Sequence, residues 1–144
     1  AERHGLSARV CTEARQAVAG HDIVVSAVPW RSKPIGFLDA GWLEPHAFAA
    51  MADLGYSWSA ETLRSIDFLV SDELDETTGM SSERLNFTGP FEASLSSLLG
   101  GNRPIPDAGR SALIFAGTGL ADVAVAALVY RRAREQGRGL QLER

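Results

Sequence analysis

Ala112-Leu-Ile-Phe-Ala-Gly-Thr-Gly-Leu-Ala-Asp-Val-Ala-Val-Ala-Ala-Leu-Val-Tyr130 is the stretch that decides the fold. Its first five residues are apolar and read as a strand, 112–116. Gly117-Thr-Gly119 then turns the chain, and Leu120, Val123, Ala124, Ala127, Leu128 and Ala133 recur at helical spacing over 120–136. Arginines crowd the end of that helix and Gly137 follows it, as a helix carboxyl terminus favours. A strand that passes through glycine straight into a helix is a βα unit.

Working upstream, the same alternation repeats. Asp22-Ile-Val-Val-Ser-Ala-Val28 is β-branched and apolar throughout, so 22–28 reads as a strand buried on both faces and stopped by Pro29. Further strands are expected at 8–11, 47–51 and 67–71. Helices are expected at 13–19, capped by Thr12 and closed by Gly20, at 60–65, and at 91–99 with Phe91, Leu95, Leu98 and Leu99 on one face. The acidic stretch 72–83 reads as a frayed helix or a loop. Strands alternating with helices give an α/β fold, a parallel sheet flanked by helices. The expected organisation is one domain over 1–136 and a short tail over 137–144.

Composition narrows the function. The 144 residues carry a net charge of −4, and all but Lys33 of the 14 basic residues are Arg, with no basic stripe to follow a nucleic acid. No apolar run reaches the roughly 18 residues that would cross a bilayer. Cys11 is the single cysteine, so the chain holds no internal disulfide; this fits a reducing, cytoplasmic setting. The first residues read as the last turn of a helix stopped by Gly5. Serine-hydrolase elbows, phosphate-binding Gly-Lys-Ser/Thr loops, paired cysteines and zinc-binding His pairs are all missing. His4, His21 and His46 are scattered. Trp30, Trp42 and Trp58 read as core or loop anchors, and no metal is expected.

Ligands of open parallel sheets gather beyond the carboxyl ends of the strands. There the sequence offers Ser26, Ala27 and Val28, then Asp53, Asp72, and Gly117-Thr-Gly119. Small side chains let a flat ring or a phosphate approach the backbone. Each feature also has a plainer reading: small residues for helix packing, glycines for a tight turn, and an Asp after a strand as a cap. The run Asp72, Glu73, Asp75 and Glu76 reads as a solvated face.

Three segments carry a family likeness: Ala17-Val-Ala-Gly-His-Asp-Ile-Val-Val-Ser-Ala-Val-Pro29, Trp42-Leu-Glu-Pro45 leading to Asp53, and Ile114 through Tyr130. Together they resemble the carboxyl-terminal part of the ornithine cyclodeaminase/mu-crystallin family. That resemblance implies a Rossmann-like domain whose first strand and glycine-rich loop precede Ala1, so that the sheet is incomplete at its amino-terminal end. It implies NAD or NADP as cofactor, a small amino or imino acid as substrate, hydride transfer at its α-carbon, and a homodimer for the full-length protein. In such members the Asp matched by Asp53 manages protons. The resemblance further implies that Ser26, Ala27 and Val28, the loop from Ala50 and Met51 to Asp53, and the turn at Gly117 and Thr118 line the nicotinamide side. The family also includes a non-catalytic hormone-binding crystallin, so a binding protein or an inactive fragment are the rival expectations. Two departures stand out. The segment from Pro45 to Asp53 is about two residues shorter than the family pattern, and the cyclodeaminase Pro-Gly-Lys after the Asp is replaced by Leu54-Gly-Tyr-Ser57. An oxidoreductase is therefore favoured over a true ornithine cyclodeaminase.

Overall fold

The protein is described by a computed structural model that covers residues 4–29, 31–75, 79–81, 83–140 and 142. Five strands form one wholly parallel sheet: β1 (Ile23–Ser26), β2 (Phe48–Met51), β3 (Phe68–Ser71), β6 (Ala93–Ser94) and β7 (Ser111–Ile114). Their spatial order is β1-β2-β7-β3-β6, so the last strand inserts between the second and third. Helices α1 (Ala14–Val18), α2 (Ala60–Leu63), α3 (Leu95–Leu99) and α4 (Gly119–Glu135) connect or follow them, with a 3-10 turn at Ala40–Trp42.

Pairing puts alternate residues of four strands in register on one face. Val24, Ala49, Ala112 and Leu69 form one row; Ser26, Met51, Ile114 and Ser71 form the next, at the carboxyl ends. Val18 of α1, Leu63 of α2, Leu38, Leu43, Trp58, Phe87 and Phe91 close over this face, and the whole set is buried. The opposite face is covered on one side only, where Leu95 and Leu98 of α3 pack on Phe68, Val70 and Ala93. Around β1 that face is open.

Four expectations need correction. Residues 8–11 form no strand, and Val10 is 95% exposed; β1 pairs with β2 alone, so nothing draws the segment into the sheet. The strand expected at 22–28 is shorter and is not buried on both faces: Ile23 and Val25 point to the open side. The helix expected at 91–99 starts only at Leu95, because Ala93 and Ser94 first pair with β3 as the fifth strand. Phe91 joins the main core and Leu99 faces solvent, so the four residues do not share a face. Within 72–83, Leu74–Asp75 (β4) and Met80–Ser81 (β5) pair as a small antiparallel hairpin rather than a helix. Trp30, Glu76 and residues 1–3 lie outside the described residues.

Candidate functional site

The site is built at the carboxyl edge, where the β1, β2 and β7 ends line up at Ser26, Met51 and Ile114. Asp53 stands two residues beyond Met51 and is 8% exposed. Its carboxylate is held from two sides. Ser26 Oγ donates to Oδ1 at 3.0 Å, and Ser57 Oγ donates to Oδ2. Behind them Trp58 Nε1 donates to Ser26 Oγ at 3.0 Å, with the indole fully buried. A buried carboxylate is costly unless its oxygens are satisfied, and these donors satisfy them.

The loop that delivers Asp53 is tightly wound. The Tyr56 amide donates to the Asp53 carbonyl and the Trp58 amide to the Gly55 carbonyl, both at 3.0 Å. Leu54, with φ 61, is among the described residues the one non-glycine in the left-handed region, and Gly55 follows at φ 72. A leucine there is strained and persists only where its surroundings fix it. Asn86 does so: its amide donates to the Leu54 carbonyl at 3.0 Å, and its Nδ2 donates to the Gly55 and Trp58 carbonyls at 3.0 and 2.7 Å. From the other side, the Ile35, Gly36 and Leu38 amides donate to the Tyr56 and Ser57 carbonyls.

On the neighbouring strand, β7 runs into the turn at Gly117 and Thr118. Gly117 adopts φ 83, and an added Cβ would meet only Phe115 Cε1 at 3.9 Å. The glycine thus serves the backbone conformation, and the space above it is open. Thr118 caps α4 through its Oγ1, which accepts from the Leu120 amide at 3.1 Å. Ser26 and Asp53 are brought into direct contact, and Gly117 and Thr118 leave from the adjacent strand. Ala27 is exposed beside them and Val28 partly so; Ala50 lies toward the open face, whereas Met51 is fully buried with its side chain in the core. Ser57 and Asn86 are additions to the residues picked out by sequence, whereas Trp58, read there as a core or loop anchor, is buried and bonded to Ser26. His46 pairs with Asp22 on the surface at 2.8 Å, at the amino ends of β1 and β2 and so at the edge of the sheet opposite the site. Among the described residues no group of His, Cys, Asp and Glu side chains could hold a metal ion, and no helix is long and apolar enough to cross a membrane.

No family model and no curated protein matches the sequence. Solved structures do match. The chain superposes on the Thermococcus litoralis Δ1-pyrroline-2-carboxylate reductase in complex with NADH and L-proline with a TM-score of 0.77 and 20% identity. That match takes in 98% of this chain and 46% of the reductase. An archaeal alanine dehydrogenase dimer with bound NAD gives 0.71 at 22% identity, over 99% of this chain and 46% of that one. A probable ornithine cyclodeaminase from Bordetella pertussis Tohama I gives 0.69 at 27% identity, over 97% and 48%. The likeness is to the ornithine cyclodeaminase/mu-crystallin family. Its Rossmann-like α/β architecture runs through the whole described chain, which spans less than half the length of these three structures.

Proposed function

We propose that the chain forms the nicotinamide side of an NAD- or NADP-dependent oxidoreductase acting on a small amino or imino acid, with Asp53 as its proton-handling group. The observation that carries this is a buried carboxylate fixed at the carboxyl edge of a parallel sheet, beside an open glycine turn. A nicotinamide dinucleotide, when bound, supplies or accepts a hydride. The residues present suit such a group: Ala27 and Gly117 are small and exposed, and within 4 Å a Cβ on Gly117 would meet only the Phe115 ring edge, at 3.9 Å. The remaining task is to give or take one proton beside the reacting carbon, which a carboxylate held in a fixed orientation can do. Ser26 and Ser57 supply that orientation, and Trp58 fixes Ser26 in turn. The matched reductase and dehydrogenase, which contain NADH with proline and NAD respectively, support the cofactor class.

One observation favours a second reading. Both oxygens of Asp53 already accept a hydroxyl within the protein, so the carboxylate also works as an internal pin between β1 and the 53–58 loop. A protein that uses it only so would bind dinucleotide or another small ligand without turning it over.

Asp53→Asn in the full-length protein separates the two. The amide keeps the shape, and the Ser57 hydroxyl can rotate to accept from it. Turnover is expected to fall by about two to four powers of ten while dinucleotide affinity changes little. Steady-state rates and cofactor titration read the two effects. Near-normal turnover leaves Asp53 as the pin alone.

A further inference from the structure

β3 and β7 run parallel as neighbours until Ser71 pairs with Ile114. One residue later the ladder passes from backbone to side chain. The Asp72 carboxylate accepts the Ala116 amide on Oδ1 at 2.6 Å and the Gly117 amide on Oδ2 at 2.9 Å. These are charge-assisted bonds, roughly twice as strong as neutral ones. An Asp that merely caps its own turn bonds a residue or two away; here the partners lie 44 and 45 residues along the chain. On the other side of β7, the Phe115 amide donates to the Met51 carbonyl at 3.0 Å. Asp72 therefore takes the next two amides in line and carries the fixed part of β7 out into the turn.

The same bonds decide what the turn can offer a ligand. Consecutive N–H groups ahead of a helix ordinarily make an anion site. Here two of them face a carboxylate, and the Leu120 amide is taken by Thr118 Oγ1. Negative charge lies under the turn, which is unfavourable for phosphate and compatible with a neutral or cationic ring.

Resting on the function proposed above, we infer that Asp72 is a positioning residue that fixes the Ala116–Thr118 turn as a seat for the nicotinamide ring and not for the dinucleotide phosphates. It touches no ligand and acts through the two amides.

The test compares NADH with ADP-ribose, which keeps the adenosine and both phosphates but lacks the ring. Both are titrated into the full-length wild type, D72N and D72E. Asn can accept only one of the two amides, and Glu keeps the charge but is one methylene longer, so each displaces the turn. NADH binding is expected to weaken about tenfold or more in both variants, the scale of one lost charge-assisted bond, while ADP-ribose affinity stays within about twofold of wild type. Equal loss for both ligands would mean general damage to the domain and overturns the inference, as does unchanged NADH binding. Should D72N fail to fold, the same two titrations on D72E decide. A wild type that binds neither ligand overturns the proposed function and the role of Asp72 with it. A wild type that binds both, with variants unaffected, overturns the role of Asp72 alone.

Discussion

Asp53 and its neighbours show how much a single residue position can depend on others far away in sequence. The carboxylate itself is legible as a polar residue just past an apolar strand, and Ser26 as a small residue at another strand end. What holds them is not legible. Trp58 reaches Ser26 across 32 residues and Asn86 reaches Gly55 across 31, and neither pairing leaves a periodic or spacing signal. Ser57, four residues after Asp53, was within view but has no motif to mark it. Asp72 reads in sequence as a strand-end acid and as part of a solvated acidic run, and its amide partners appear only once β7 is known to insert beside β3. The role of Asn86 can be tested directly. It offers two N–H donors to two carbonyls of the Asp53 loop, and removing them leaves those acceptors partly unsatisfied. Asn86→Ala is expected to lower stability by about 1–3 kcal/mol. Asn86→Asp should cost more, because it turns an acceptor toward carbonyl oxygens. Urea melts of the three proteins rank them; an aspartate variant as stable as the alanine one would remove Asn86 from the loop's support.

Among elements, the strands were readable where three or more apolar residues run together, because a parallel strand flanked on both edges is apolar along much of its length. The two-residue β6 offers no such run, and the helical pattern that follows it masked the change. Segment 8–11 failed for the opposite reason: a short apolar run became a strand in expectation with no partner to pair with. Helix α4 illustrates a third case. Its type and its ends were readable from spacing, from the Gly117-Thr-Gly119 turn and from Gly137, yet its surroundings were not. It has 17 residues and none is buried, with Leu120 79% and Val123 67% exposed. Apolar residues also occupy its other side, as Val125 and Val129, so that over 120–130 only Asp122 is charged, and a helical stretch that is apolar on both sides is one that proteins normally bury. An isolated helix of this length is marginal in water. In the 144-residue chain, α4 amides are therefore expected to exchange within the dead time to minutes, while amides of β2 and β7 stay protected for far longer. Hydrogen exchange read by mass spectrometry or NMR checks this. Protection of α4 equal to that of β7 would show that the helix is packed against something in solution.

At the scale of the whole molecule, the two open apolar regions, the outer sheet face and α4, set its behaviour. The outer sheet face beside β1 presents Ile23, Val25 and Phe48 to solvent, and among the described residues β1 is also an edge of the sheet, paired only with β2. Soluble monomers seldom leave such a patch next to an unprotected edge, since both invite a second chain. The 144-residue chain is therefore expected to associate in a concentration-dependent way and to bind a hydrophobic dye. Ile23 and Val25 contribute nothing to the main core, whose β1 members are Val24 and, at the site, Ser26. The double change Ile23→Lys with Val25→Lys should thus leave the fold intact while placing charge on both the face and the edge. Sedimentation is expected to shift toward monomer, with circular dichroism and the melting profile close to wild type. If association persists unchanged, α4 is its driver, and Val125→Glu with Val129→Glu becomes the variant that disperses it. A wild-type chain that stays monomeric at high concentration, melts cooperatively and binds no dye would show that these surfaces are covered within the single chain.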